Sequence, residues 1–208
     1  MVQNIDAFGI GHQTNVSIDE IRIEMLRKSI HLLIALVPSL AFFIGVFPTT
    51  IILAVGVLFY TTCETLRMYG KEVPVVSAVT SLAARKRDAG KFVLGPITLG
   101  LGAMLSLILY PEPAASIAIY ALAFGDGLSS LVGKLFGTIR LPFTGGKSLE
   151  GSLTCFTAVF VSAFALSGKA GPSAAVALIA TLTEACPLKD FDNIILPLVT
   201  GCAALLLL

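Results

Sequence analysis

The 208 residues are 56% hydrophobic and only 13% charged, with a formal net charge of +1 and a mean hydropathy of +0.92. Such a composition excludes an ordinary soluble domain, which needs far more polar surface to cover its core. The net charge names no partner, so the placement of charges along the chain has to carry the argument.

Residues 1–29 read as an N-terminal arm followed by an interfacial amphipathic helix. The arm is polar and Gly-containing up to Val16. Asp6, Asp19, Glu20 and Glu24 precede any apolar run, so no secretory signal is expected and insertion rests on the later spans. From Ser17, the residues Ile18, Ile21, Met25 and Leu26 share a helical stripe, and Ser17 with Glu20 fits a capping box.

Residues 30–208 are expected to form one all-α, polytopic transmembrane helix bundle of about seven spans. Apolar segments fall at 30–47, 49–65, 92–110, 113–135, 149–166, 172–186 and 191–208, near the roughly 17–25 residues of a spanning helix. The sixth is short and Ala-rich, which leaves six spans plus a re-entrant piece as an alternative. Pro48, the turn from Pro111 to Pro113, and Gly171 with Pro172 mark tight turns on one side. With a cytoplasmic N-terminus, 13 of the 14 Lys and Arg residues fall on the inner side and only Lys169 falls outside. That sorting satisfies the positive-inside rule, with the C-terminus outside. The expectation is a multi-pass protein of a cell or inner membrane.

Asp126 lies a third to halfway into the fourth segment, counted from its inner end, between Gly125 and Gly127. An acid there costs roughly 2.5–3.5 kcal/mol on insertion scales, so something must compensate it. The glycines allow a ligand or a neighbouring backbone to come close. Gly133 and Gly137 thin the same helix end, and Lys134 adds a cation. A carboxylate among glycines and lysines suits a magnesium-bound polyphosphate, with a structural pair to a basic residue as the other reading. The run Gly145-Gly146-Lys147-Ser148 is no Walker A loop, because Leu141 stands where that pattern needs Gly. It can still offer backbone N–H groups to phosphate at a helix start. Glu150 is either a second metal ligand or a first-turn acid favoured by the helix dipole.

Arg27, Lys28 and His31 form a cluster at the start of the first span, where spacings of three and four put His31 on the face shared by both cations. Lys28 and His31 are candidates for phosphate or substrate contact. Glu64 and Arg67 fit an intrahelical ion pair. The basic run Arg85-Lys86-Arg87 with Lys91 can attract anionic lipid, steer a nucleotide or merely enforce topology, and Arg87 and Lys91 join Lys28 and His31 as candidates for phosphate or substrate contact. It lacks interleaved aromatics, which argues against nucleic acid. Glu184, Asp190, Asp192 and Asn193 gather near the inner boundary, where converging oxygen donors suit a metal or phosphate site; Glu184 and Asp192 are the candidate ligands beside Asp126 and Glu150. The cysteines Cys63, Cys155, Cys186 and Cys202 form no C-x-x-C pair and read as apolar packing residues.

Taken in order, R-K-S-I-H from Arg27, E-T-L-R from Glu64, L-G-P from Leu94, G-D-G-L-S-S-L-V-G-K-L-F-G from Gly125, G-K-S-L-E-G-S from Gly146 and E-A-C-P-L-K-D-F-D-N-I-I-L-P from Glu184 resemble the CTP-dependent lipid-alcohol kinases. Those are the phytol, dolichol and CTP-using diacylglycerol kinases, which are related to phosphatidate cytidylyltransferases. The resemblance implies that residues 30–208 are a catalytic domain moving the terminal phosphate of CTP to a lipid alcohol at the cytoplasmic face, with Mg2+ or another divalent cation. It implies that Asp126, Lys147 and Glu150 are catalytic, that Asp126 engages the metal–nucleotide complex, and that Gly125, Gly127, Lys134, Gly146, Ser148 and Gly151 belong to the nucleotide site. The basic–acidic C-terminal run of the cytidylyltransferases is not found, so CDP-lipid synthesis ranks second. An ion-coupled transporter using Asp126, Glu184 and Asp192 is the non-enzyme alternative.

Overall fold

The computed structural model describes residues 18–71, 90–188 and 191–208, with side chains from Glu24 onward in the first segment. Helix α1 (Ile18–Leu33) passes through a 3₁₀ turn (Ile34–Leu36) into α2 (Val37–Ile44), and α3 spans Val46–Met68. After α4 (Gly95–Leu109) come α5 (Ala114–Tyr120), a π-helical turn (Ala121–Asp126) and α6 (Gly127–Leu135), which together form one long rod. The bundle closes with α7 (Leu149–Ser167), α8 (Ala170–Ala185) and α9 (Asp192–Leu207). The chain is an all-α, multi-pass membrane protein.

Every apolar segment read from the sequence corresponds to helix. Four stretches are long and apolar enough to cross a membrane: Glu24–Ile44, Val46–Met68, Ala114–Leu135 and Leu149–Ser167. Helices α4, α8 and α9 are apolar but only 15, 16 and 16 residues long. At about 1.5 Å per residue they reach roughly 23–24 Å, short of the ~30 Å hydrocarbon core.

The packing is that of a protein whose solvent is lipid. Phe42, Phe43, Phe47, Leu58 and Leu182 point outward. The core is built largely from small side chains, including Ala103, Ala118, Ala121, Ala163, Ala177 and Ala180. Lipid is as apolar as leucine, so helices gain by close backbone approach and internal polar bonds rather than by hiding large apolar groups. The rod Ala114–Leu135 lies at the centre, with 67% of its apolar window buried against 11% for α3.

The first helix departs from expectation in a way that shapes the site. It runs unbroken past residues 29 and 30 to Leu33, so the amphipathic segment and the start of the first apolar segment are one element. Glu24, Lys28 and His31, at i, i+4 and i+7, are buried, while Met25, Leu26 and Leu33 are exposed. The polar stripe faces the bundle and the apolar face looks out. Partners on the rod explain this inversion: Asp126 and Lys134 lie opposite that stripe.

Specific polar contacts fix the remaining helices. Glu64 is buried and pairs with Arg67 at 2.7 Å, as the spacing predicts. The same carboxylate accepts from Val93 N at 2.8 Å, and Arg67 donates to Lys91 O at 2.9 Å. Tyr60 Oη donates to Val93 O, so the end of α3 holds the lead-in to α4. Asn193 Nδ2 donates to Thr98 Oγ1 at 2.9 Å, joining α9 to α4. These two helices touch at Gly102, where a Cβ would run into the Asn193 carbonyl oxygen. Gly102→Ala is therefore expected to destabilise the bundle by about 1–3 kcal/mol through overpacking, read as a lower unfolding temperature in detergent.

Candidate functional site

A pocket of about 440 Å³ opens where α6, α7 and α8 meet the loop 136–148. Its walls carry four carboxylates, Glu24, Asp126, Glu184 and Asp192, and three cations, Lys134, Arg140 and Lys147. Asp126 ends the π-helical turn, a local widening of the helix that recurs at functional sites. Gly125 beside it lets α7 close in, since a Cβ there would sit 3.1 Å from Val159 Cγ2.

Asp126 is held from α1. Lys28, fully buried, donates from Nζ to Asp126 Oδ2 at 2.6 Å and to the Asp126 carbonyl at 3.1 Å. His31 Nδ1 stands 3.1 Å from the same Oδ2, without the alignment of a hydrogen bond. The structural pairing considered for Asp126 is thus present, while the carboxylate still lines the pocket. Lys28 and His31 reach the site through Asp126 rather than by lining it. Arg27 turns to Glu24, which also takes Lys134.

The loop is a braced hairpin. Arg140 and Ser148 form an antiparallel bridge, Leu141 N donates to Lys147 O at 2.8 Å, and Leu149 N donates to Ile139 O at 2.9 Å. Gly145 and Gly146 take φ of +72° and +97°, a region that only glycine adopts freely. Ser148 caps α7, its Oγ accepting from Gly151 N at 3.1 Å. The amides of Leu149 and Gly151 are therefore already bonded, which removes two of the N–H groups that this helix start could offer to phosphate. Charge at the loop comes from side chains instead. Lys147 Nζ reaches Glu184 Oε1 at 2.8 Å and also the Glu184 carbonyl.

Several expected site residues lie elsewhere. Glu150 Oε1 accepts from Thr138 N at 2.8 Å, from Thr138 Oγ1, and from Ile139 N at 3.3 Å. Its carboxylate anchors the turn after α6 and does not line the pocket, because the turn's own N–H groups capture it. Gly125 and Gly127 serve helix packing against α7 and α1 rather than the pocket wall. Lys91 is exposed at the Arg67 junction, away from the pocket. Arg85, Lys86, Arg87, Lys189 and Asp190 lie outside the described residues. Lys134, Gly146, Lys147, Ser148, Gly151, Glu184 and Asp192 do line the pocket with Asp126. Sequence reasoning missed Glu24, Arg140 and the serines at 129, 130 and 152. The spacing of Glu24, Lys28 and His31 was the available signal for Glu24.

No group of three or more His, Cys, Asp or Glu forms a ready metal cage among the described residues. Mg2+ does not need one, since it is commonly held by one or two carboxylates plus substrate phosphates. Asp126 fits that requirement with Asp192, which lines the pocket and has no ion pair among the described residues.

The chain as a whole is similar to several known proteins. A probable chloroplastic phytol kinase 1 of Oryza sativa subsp. japonica is 29% identical over 167 residues, 70% of this chain and 52% of that protein. Phytol kinase 1 of Arabidopsis thaliana is 26% identical over 155 residues, covering 66% and 51%. A farnesol kinase of Arabidopsis thaliana is 34% identical over 84 residues, covering 39% and 27%. The chain is similar in sequence to phytol and farnesol kinases. It spans about half the length of these two phytol kinases. No family model and no solved structure matches it.

The ion pair to α1 gives a direct test of how the pocket is supported. Lys28→Met leaves Asp126 buried without its cation and is expected to cost about 3–5 kcal/mol. Adding Asp126→Asn should restore most of that stability, a non-additivity readable from thermal unfolding of the two variants.

Proposed function

We propose that this chain is the catalytic part of a membrane lipid-alcohol kinase that transfers the γ-phosphate of CTP to the hydroxyl of an isoprenoid alcohol. The observation that carries the reading is the pocket itself, in which lysines and carboxylates alternate at the end of membrane-length helices. The names of the relatives support an isoprenoid alcohol over diacylglycerol. The distribution of 13 of 14 basic residues supports seven spans, an inner N-terminus and a site facing the cytoplasm.

In this reading Asp126 and Asp192 hold Mg2+, while Lys134, Arg140 and Lys147 take the phosphates. The metal, when bound, neutralises charge on the β- and γ-phosphates. The alcohol keeps its tail in hydrocarbon and brings its hydroxyl to the pocket from the side. Its O–H bond breaks as the new O–P bond forms, the proton passing to a pocket carboxylate, while the γ-phosphorus separates from the β-phosphate oxygen and CDP leaves. Because the group in flight forms few new bonds to protein, most of the catalysis is positioning and charge compensation. Lys28 contributes by holding Asp126 in register, and Glu150 by holding the turn that carries the hairpin.

Membranes containing the chain should incorporate label from γ-labelled CTP into farnesol or phytol, and none from α-labelled CTP. Entry of the α label would instead assign cytidylyl transfer. Asp126→Asn should lower turnover about a hundred-fold or more while the protein still inserts. Wild-type turnover in that variant sinks the role given to Asp126. Solute movement in vesicles with no CTP consumed favours a transporter.

A further inference from the structure

Four serines line the pocket, at positions 129, 130, 148 and 152. Ser148 caps α7 through Gly151 N. Ser129 Oγ donates to the Asp126 carbonyl at 3.2 Å and lies 3.4 Å from Glu184 Oε1. Ser130 Oγ is 3.5 Å from Asp126 Oδ1. Ser152 differs from all three: its residue is 8% exposed, and its Oγ is buried without a hydrogen-bond partner.

A buried hydroxyl with no partner costs stability that an alanine in the same place would not. Nothing in the helix requires it, because Ser152 N is already bonded to Ser148 O at 3.0 Å. Ser152 lies one turn inside the Ser148 cap and is one of the residues that line the pocket. The pocket it lines is rich in acceptors, the carboxylates of Asp126 and Glu184, and each already has a lysine. An alcohol O–H entering here finds acceptors in those carboxylates. An anionic oxygen needs a donor, and Lys147 Nζ is engaged with Glu184 Oε1 and the Glu184 carbonyl. The unused hydroxyl of Ser152, on the first turns of α7 where the helix dipole is positive, supplies one.

We propose that Ser152 binds the transferred phosphoryl group, donating its hydroxyl hydrogen to an oxygen of the donor's terminal phosphate before transfer and of the lipid monophosphate afterwards. The assignment rests on the kinase reading. It makes Ser152 a phosphate-binding residue whose cost to the empty protein is recovered when the ligand arrives.

The test uses the full chain in detergent, with farnesyl monophosphate and farnesol as probes, for the wild type, Ser152→Ala and Ser152→Thr. Ser152→Ala should bind farnesyl monophosphate about ten-fold more weakly and farnesol as before, with kcat lowered more than either KM is raised. Its ligand-free unfolding temperature should be unchanged or higher, which a merely structural serine would not give. Ser152→Thr, which keeps the hydroxyl, should recover most of the affinity. Unchanged monophosphate affinity in Ser152→Ala, an equal loss for farnesol, or a lower unfolding temperature overturns the role of Ser152 and leaves the kinase reading standing. A wild-type chain that binds neither farnesyl monophosphate nor CTP overturns both.

Discussion

The ion pair between Lys28 and Asp126 is the contact on which the rest of the arrangement depends. A carboxylate inside a membrane bundle needs a partner, and here the partner comes from a helix almost a hundred residues earlier. The pair fixes α1 against the rod, turns the polar stripe of α1 inward, and brings Glu24 within reach of Lys134. It also holds Asp126 at the wall of the pocket, where the π-helical turn has already opened the backbone. One charged contact thus joins the topology of the first span to the chemistry of the fourth.

The remaining helices follow the same logic with weaker groups. Where α4 meets α9, a glycine and an Asn–Thr hydrogen bond take the place of bulky apolar side chains. Tyr110 donates to the Leu198 carbonyl at 2.6 Å, and its ring lies over Gly201. Close approach and internal polar bonds stabilise helices when the surroundings are hydrocarbon. Large side chains are then free to face outward, as Phe42, Phe43 and Phe47 do.

Much of this was legible in the sequence, because insertion leaves a strong signal in apolar run length and in the placement of basic residues. The seven apolar stretches, the Glu64–Arg67 pair, and the gathering of Asp126, Lys147, Glu184 and Asp192 could all be read from spacing. The direction in which α1 faces could not. An amphipathic stripe has the same period whether its polar side meets water or a buried Asp126, and the partners that decide lie far along the chain. The surroundings of Glu150 were hidden for a related reason. Its position in the first turn of α7 was correct, but the turn at Thr138 and Ile139 that captures its carboxylate is not a sequence pattern. Ser152 carried no signal, since an unsatisfied hydroxyl is a property of three-dimensional surroundings.

The pairing of each pocket lysine with a carboxylate has a consequence for what the pocket accepts. Asp126 with Lys28, Glu184 with Lys147 and Glu24 with Lys134 leave little unbalanced charge on those walls. At these pairs a lone cation must pull a carboxylate away from its lysine and strand the amine, and a lone anion does the reverse, each against the penalty on an unpaired buried charge; Asp192, outside any such pair among the described residues, is the exception on the pocket wall. A visitor that carries both signs can exchange partners with a pair at once, leaving no charge stranded. The resting protein is in this sense an occupied site whose own side chains stand in for the ligand. At these three pairs entry is a swap of equals, which favours a visitor of both signs over a lone ion.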